Sequence, residues 1–181
     1  MKIKLQNVRL SFPALFTPEA FKPGDALKFK STFLIEKGSA QHKAIESAIL
    51  ETVKIKFGAK DAEKIIASIR GNANKFCFQD GDTKTFDGYE GMMALSAKNS
   101  TRPLVIDRDR TPLAEQDGKP YAGCYVNASV EFFAYDNTGK GVSASLGGVQ
   151  FVKDGDAFAG GKAASEDDFD ALDGADADNL V

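Results

Sequence analysis

The sequence predicts a mainly β protein, a β-barrel with two inserted helices and a disordered acidic C-terminal tail. Three observations lead to this prediction. Along most of the chain apolar and polar residues alternate, which is the period of a strand with one buried face. Residues 39–71 instead repeat their apolar positions every three or four residues, as helices do. The last 28 residues hold nine acidic side chains and one basic one, with too few large apolar residues to offset chain entropy.

The first predicted strand changes its phase part-way along. Apolar residues occupy odd positions up to Leu5 and even positions from Val8 to Phe12. Because successive side chains of a strand point to opposite faces, this change requires one extra residue, and we expect a β-bulge at Gln6-Asn7. Bent strands of this kind allow a small barrel to turn a corner. A loop is predicted to follow over residues 13–26.

A second strand is predicted over residues 28–36, and two helices come after it. Ser39 is suited to cap the first helix, whose apolar residues recur at every fourth position, and Gly58 is suited to end it. The second helix is shorter and is predicted to run from near Lys60 to Gly71.

Five more strands are predicted in the second half of the chain, at residues 76–79, 91–98, 103–107, 123–135 and 141–152. In the strand at residues 123–135, one face is entirely apolar and suits the core, whereas the other mixes polar and aromatic side chains. Gly147-Gly148 lies inside a strand pattern and indicates a bend or bulge. Cys77 and Cys124 each lie in an apolar run and are expected to be buried, reduced thiols.

Charge divides the chain into two parts. Residues 1–153 carry 22 basic and 17 acidic side chains, a net charge of about +5, whereas residues 154–181 have a net charge of −8. We therefore expect a folded domain at residues 1–153 and a disordered tail at residues 154–181. A basic domain can bind nucleic acid, and an acidic tail on the same molecule can compete for that surface.

The residues that enzymes and metal sites need are scarce. His42 is the only histidine, no paired cysteines have zinc spacing, and no glycine-rich phosphate loop is found. Asp80-Gly81-Asp82 and Asp107-Arg108-Asp109 are interpreted as solvated turns rather than Mg²⁺ ligands. The sequence therefore predicts neither an enzyme nor a bound metal or cofactor.

Neither a signal peptide nor a membrane span is predicted. The opening residues alternate polar and apolar side chains, and no stretch approaches the 18 apolar residues that would indicate a spanning helix. A cytoplasmic location, without membrane contact, is expected.

Single-stranded nucleic acid is bound by cations that follow the phosphates and by aromatic rings on which bases stack. Both residue types are abundant in the predicted domain. The expected binding residues are Arg9, Lys28, Lys30, Lys98, Arg102 and Arg108 for the phosphates and Tyr89, Tyr121 and Tyr125 for the bases.

Five segments, taken in order, give the sequence a family resemblance. They lie at residues 7–12, 100–107, 121–128, 133–136 and 147–155. Together they resemble the bacteriophage single-stranded DNA-binding proteins formerly catalogued as a domain of unknown function. The resemblance implies an OB-fold that coats single-stranded DNA during phage replication and recombination, with a mobile acidic tail. In a host cell this would place the protein in the bacterial cytoplasm.

The tail is expected to recruit replication or recombination proteins. Single-strand binders of this type often end in acids and a terminal aromatic residue, whereas this chain ends in Leu180-Val181. The partner-binding candidates are Asp167, Asp168, Phe169, Asp170 and Asp178. Whether a partner contacts the extreme end or the cluster around Phe169 stays open.

Two alternatives also stay open. One is an RNA-binding or strand-annealing protein on the same barrel. The other is a structural or assembly β-protein, in which the aromatic face at residues 123–135 is a subunit interface, and a homodimer is an expectation on this basis.

Overall fold

A computed structural model gives the structure of the protein and describes residues 1–158 and 169–172. Within these residues, seven strands and two α-helices follow one another in chain order. They are β1 (Lys2–Glu19), β2 (Lys28–Glu36), α1 (Ala40–Phe57), α2 (Ala62–Ile69), β3 (Phe78–Asp80), β4 (Met92–Asn99), β5 (Leu104–Ile106), β6 (Tyr125–Asp136) and β7 (Lys140–Lys153). The predicted order of two strands, two helices and five strands is confirmed.

Five of these strands close a barrel in the order β1-β2-β4-β7-β6 and back to β1. Four of the five strand pairs are antiparallel. The fifth, between β4 and β7, is parallel and is formed where Lys98 faces Ser145. A closed five-stranded barrel of this kind is the OB-fold, which confirms the predicted fold class. The two helices are inserted between the second and third barrel strands.

The bulge predicted at Gln6-Asn7 is confirmed. Between the pairs Leu5–Ala128 and Val8–Val126 the register shifts by one residue, and Asn7 has a φ of 51°. Side chains bind the backbone groups that the bulge frees. Gln41 bonds both backbone groups of Gln6, at 2.7 and 2.8 Å, and the amide of Asn7 donates to Asn127 at 2.9 Å.

The predicted loop over residues 13–26 is wrong, because β1 continues to Glu19 and the loop spans only residues 20–27. A second bulge explains how the strand accommodates Pro13. The register of β1 against β2 shifts between Ser11 and Ala14, and proline is tolerated at such bulges because they lack regular ladder hydrogen bonds.

The helices begin and end close to the predicted residues. The side chain of Ser39 accepts a hydrogen bond from the amide of His42 at 3.2 Å, and Gly58 is the C-cap of α1. The imidazole of His42 accepts a hydrogen bond from the amide of Gly38 at 2.9 Å. Ile45 and Ile49 of α1 and all three isoleucines of α2 are buried in the main core, which also fills the barrel.

Burial in the second half of the chain follows the predicted pattern. The apolar face of β6 lies in the core. Gly147 is the extra residue of a bulge, because Gly148 pairs with Ser129 while Leu146 pairs with Val130. Both cysteines are free and buried, as predicted. Burial raises the pKa of Cys77 to about 12 and that of Cys124 to about 11.

Across residues 1–158 and 169–172, no helix has the length and apolar character needed to cross a membrane. The same residues contain no cluster of three His, Cys, Asp or Glu side chains that could hold a metal ion.

Candidate nucleic-acid interface

Two lysines face each other on the outer side of the barrel. Lys30 of β2 and Lys98 of β4 are direct cross-strand partners. Like charges placed directly opposite each other destabilise a sheet. Lys30 has a partial counter-ion in Glu19, at 3.3 Å, whereas Lys98 forms no ion pair within the described part of the chain. The pair therefore suits an external anion.

Polar and basic groups extend this surface along the strands. The next cross-strand pair is Thr32 and Ser96, whose hydroxyl oxygens lie 3.4 Å apart. On the other side of the lysines, the ammonium of Lys28 donates to the hydroxyl of Ser100 at 2.6 Å. Lys28 therefore lies beside the loop that joins β4 to β5.

Arg102 belongs to the same loop. Its guanidinium lies 5.7 Å from the ring centre of Phe16, a cation–π distance, and the side chain is otherwise exposed. Four of the predicted phosphate contacts, Lys28, Lys30, Lys98 and Arg102, are thus on β2, on β4 or in the loop after β4. Arg108 is separate, in a turn beyond β5, where its amide donates to Asp107 at 2.8 Å.

Three aromatic rings meet beside the lysine pair. Phe12 and Phe86 lie 4.8 Å apart between ring centres and are 50% and 49% exposed, whereas Tyr89 is 3% exposed. The Tyr89 hydroxyl donates to Ser11 at 3.0 Å. The expectation that Tyr89 offers a ring to a base is therefore corrected, because its ring is buried against the outer face of the sheet.

Ion pairs with Lys37 hold the beginning of the segment that carries Phe86 and Tyr89. The ammonium of Lys37 pairs with Asp80 at 2.6 Å and also with Asp82, and Asp82 accepts a further hydrogen bond from the amide of Gly91 at 2.9 Å. Hydrogen bonds to Lys37 hold the pKa values of Asp80 and Asp82 below their usual range. The same contacts raise the pKa of Lys37.

Residues 154–158, here called the C-terminal arm, continue from β7 across the outer face of the barrel. Arg9 donates two hydrogen bonds near this arm, to the carbonyl oxygen of Gly123 at 3.0 Å and to that of Asp156 at 2.6 Å. Its guanidinium also lies 4.2 Å from the ring centre of Phe158. The amide of Phe158 donates to Ala122 at 3.0 Å, so backbone and side chain both fix the arm.

Tyr121 and Tyr125 contact the beginning of the arm. The Tyr121 hydroxyl donates to the carboxylate of Asp154 at 2.7 Å, and burial together with this carboxylate raises the pKa of Tyr121. The Tyr125 ring has Arg9 at 5.8 Å and Lys153 at 4.7 Å. In this structure, three predicted DNA-binding residues (Arg9, Tyr121 and Tyr125) are engaged with the arm or its neighbours.

Two glycines make room for the arm. Gly88 and Gly123 have φ values of +81° and +103°, a backbone conformation that is accessible to glycine but strained for other residues. A Cβ on Gly88 would overlap the Phe158 ring, and a Cβ on Gly123 would overlap the carbonyl oxygen of Asp156. The docked arm therefore depends on glycine at both positions.

Most of the predicted partner-binding residues of the tail are not in the described structure. Phe169 and Asp170 are described and exposed, with 71% of Phe169 accessible. Asp167, Asp168 and Asp178 lie outside the described residues.

With this surface in view, comparison with known proteins identifies the family. The sequence matches, over residues 1–181, the family described as Enterobacter phage Enc34, ssDNA-binding protein. The chain belongs to the Enc34 single-stranded DNA-binding protein family. The resemblance noted in the sequence is thereby confirmed. So is the prediction of a non-enzymatic protein, because this is a family of DNA-binding proteins.

One relative and two solved structures illustrate the likeness to the Enc34 family. Protein p50 of Acyrthosiphon pisum secondary endosymbiont phage 1 is 54% identical over 182 residues, which cover 100% of this chain and 99% of p50. The single-stranded DNA-binding protein of bacteriophage Enc34 in complex with ssDNA is 31% identical, with a TM-score of 0.73 over 86% of this chain and 88% of that one. A second structure of the same Enc34 protein has a TM-score of 0.71 at 31% identity, over 93% of this chain and 90% of that one.

A more distant structure shares only the fold. Gp2.5, a single-stranded DNA-binding protein of bacteriophage T7, is 13% identical, with a TM-score of 0.58 over 91% of this chain and 98% of that one. The fold is thus also found in a phage protein of very different sequence.

Proposed function

We propose that this protein binds single-stranded DNA without sequence preference and acts in phage DNA replication and recombination in the host cytoplasm. The observation on which the proposal rests is the Lys30–Lys98 pair on the outer face of β2 and β4. In OB-folds, the face formed by the second and third barrel strands is where oligonucleotides bind, and β2 and β4 are these strands here. Membership of the Enc34 family supports the same assignment.

Phosphate neutralisation is the main source of affinity in this proposal. Lys28, Lys30, Lys98 and Arg102 contact the phosphates and release their counterions, so the logarithm of affinity falls with that of salt, at roughly −0.7 per phosphate contacted. Aromatic side chains add stacking, worth about 1–3 kcal/mol per base. Because a duplex hides the faces of its bases, unpaired strands are preferred without any reading of sequence.

The acidic tail competes with DNA in the same proposal. The C-terminal arm keeps the beginning of residues 154–181 on the outer face of the barrel, through Arg9 and Phe158. The net charge of −8 carried by the residues after β7 therefore starts beside the proposed binding surface. DNA would displace the tail, which then recruits replication or recombination proteins through acidic residues and an aromatic ring such as Phe169.

A titration of fluorescent oligo-dT at two salt concentrations tests this function. We expect binding that weakens steeply at the higher salt, and much weaker binding to a duplex of the same length. An oligo-dT that is ignored even in dilute buffer contradicts the proposal. Competition with an RNA of matched sequence separates DNA binding from the RNA-binding alternative.

The assembly alternative has one structural observation in its favour. Phe133, on the outer face of β6, is 46% exposed and lies 6.3 Å from the ring of Tyr135. A homodimer that covers these rings would be detected by sedimentation, and Phe133→Ser would dissociate it. An assembly protein without a DNA function would show no salt-sensitive binding to oligo-dT.

A further inference from the structure

Phe12 and Phe86 are two half-exposed rings held against each other on the DNA-facing side of the barrel. Their ring centres are 4.8 Å apart and their planes meet at 75°. We propose that they form a stacking platform for a nucleobase of single-stranded DNA. The inference rests on the proposed function and specifies where on this surface a base is bound.

The backbone at Phe12 gives the first argument. Phe12 has a φ of +46°, a left-handed conformation that is unfavourable for a bulky residue. It lies in the bulge between the pairs Ser11–Thr32 and Ala14–Lys30, and bulges can redirect a side chain. This backbone conformation turns the ring of Phe12 away from the core. The side chain of Leu10, two residues earlier, is fully buried in the core. An outward phenyl ring contributes little to folding, so a ligand accounts for it better than stability does.

Rigid support gives the second argument. The buried Tyr89 ring lies 6.4 Å from Phe12 and 5.3 Å from Phe86, edge-on to both. Its hydroxyl is bonded to Ser11 at 3.0 Å, and the Lys37 contacts with Asp80 and Asp82 hold the segment that carries both Phe86 and Tyr89. The two exposed rings are thus positioned before any ligand arrives, which lowers the entropy cost of binding.

Neighbouring charge identifies the occupant. The residue pair that follows the bulge is Ala14 of β1 and Lys30 of β2. Lys30 in turn pairs with Lys98 on the neighbouring strand β4. A ligand on the platform is therefore flat and apolar at one end and anionic at the other, as a nucleotide is. Since the two rings are nearly perpendicular, a base can lie parallel to only one of them, and the other ring meets its edge or the adjacent base.

A fluorescent reporter can detect this stacking directly, because the chain contains no tryptophan. Phe86→Trp places a single indole on the platform, and Phe133→Trp places one on the outer face of β6 as a control of similar exposure. Saturating oligo-dT should quench the fluorescence of Phe86→Trp and leave that of Phe133→Trp nearly unchanged. Equal quenching of both, or quenching of neither while the oligonucleotide binds, would overturn the platform.

Affinity gives an independent readout. We expect Phe12→Ala and Phe86→Ala each to weaken oligo-dT binding by about 5- to 150-fold, the range that corresponds to one stacked base. Phe133→Ala should bind within twofold of the parent. Phe12→Gly is a further variant for the case that alanine disturbs folding, since glycine accepts the positive φ. A parent protein that does not bind oligo-dT refutes the proposed function. Normal binding by Phe12→Gly and Phe86→Ala refutes only the platform.

Discussion

The guanidinium of Arg9 lies over the ring of Phe158, with 4.2 Å between its central carbon and the ring centre. Arg9 belongs to β1 and Phe158 to the C-terminal arm, so the contact joins the first strand to the segment that follows the last strand. Arg9 also donates to the carbonyl oxygen of Asp156 at 2.6 Å. One arginine therefore binds both the ring and the backbone of the arm.

The first prediction concerns this contact. Phe158→Ala should release the arm and lower the free energy of unfolding by about 1–2 kcal/mol, less than the 3–5 kcal/mol of a fully buried ring, since Phe158 is partly exposed. Hydrogen exchange of the residue 158 amide, which bonds to Ala122, should become faster. Phe169→Ala is the control, because Phe169 is 71% exposed. Unchanged exchange in Phe158→Ala would show that the ring does not hold the arm.

Two truncations separate the arm from the rest of the tail. A chain ending at Phe158 keeps the docked arm and loses most of the acidic charge, whereas a chain ending at Lys153 loses both. Removal of residues 159–181 should tighten oligo-dT binding at low salt, because competition for the cations is removed. Fluorescence anisotropy of labelled oligo-dT gives the comparison. Equal affinity of the full chain and the chain ending at Phe158 would contradict tail competition.

The lysine pair predicts a change in salt dependence. Lys98→Ala should weaken oligo-dT binding and flatten the salt slope by about 0.7, the value of one phosphate contact. Its thermal stability should be unchanged or slightly higher, because two like charges no longer face each other. Lys64→Ala, at an exposed position of α2, should leave the slope as it is. A slope that Lys98→Ala does not alter would remove Lys98 from the interface.

The Lys37 contacts predict a pH dependence. Asp80 and Asp82 have pKa values below 3.8 in the folded protein, so their contribution to stability is present above pH 3.8 and lost as pH falls through the lower folded pKa values. The pKa of Lys37 is raised above 10.5, so its contribution is present below pH 10.5 and lost as pH rises further. The melting temperature of Lys37→Met should therefore be lower than that of the parent protein at pH 7, and this difference in melting temperature should become smaller below pH 3.8. A difference that does not depend on pH would exclude these ion pairs as its cause.

Cysteine reactivity tests the burial of the core. Both thiols are buried, and their pKa values of about 12 and about 11 leave almost no thiolate at pH 8. The folded protein should react with a thiol reagent only slowly. In denaturant, both thiols should react rapidly. Rapid reaction of either thiol in the native protein would show that its part of the core opens.

Local sequence patterns were sufficient to predict most elements of the fold. The bulge near Asn7 followed from a change in alternation, and α1 followed from Ser39, Gly58 and the apolar repeat between them. These features depend on residues close together in the chain. The second bulge was missed because Pro13 indicated the start of a loop, and nothing local shows that β2 would continue to pair beyond it.

The aromatic part of the candidate site was harder to predict. Alternation with Val8 and Leu10 places Phe12 on the core side, but one extra residue at a bulge reverses the side on which a residue lies, and Phe12 is 50% exposed. Tyr89 was expected at the surface, yet its burial depends on contact with Ser11, 78 positions away. Contacts between residues so far apart in the chain cannot be predicted from a local sequence pattern.

Composition also could not show that the beginning of the acidic segment docks on the barrel. Residues 154–158 share the acidic character of the rest of the tail, yet they dock because Gly88 and Gly123 leave space for them. Those glycines look like ordinary turn residues in the sequence, and only the folded chain brings them to the arm.

The closing edge of the barrel is assembled from three separate pieces of chain. Along β7, Val142 pairs with Phe76, Ser145 with Lys98, and residues 148–150 with β5. Among the described residues no single strand covers this edge, so the barrel lacks a continuous ladder along one side of β7. Under mechanical force or in denaturant, the barrel should open first between β7 and these three segments. A polyanion bound to Lys98 would then stabilise the β4–β7 pairing from outside, and bound DNA would make the barrel more rigid.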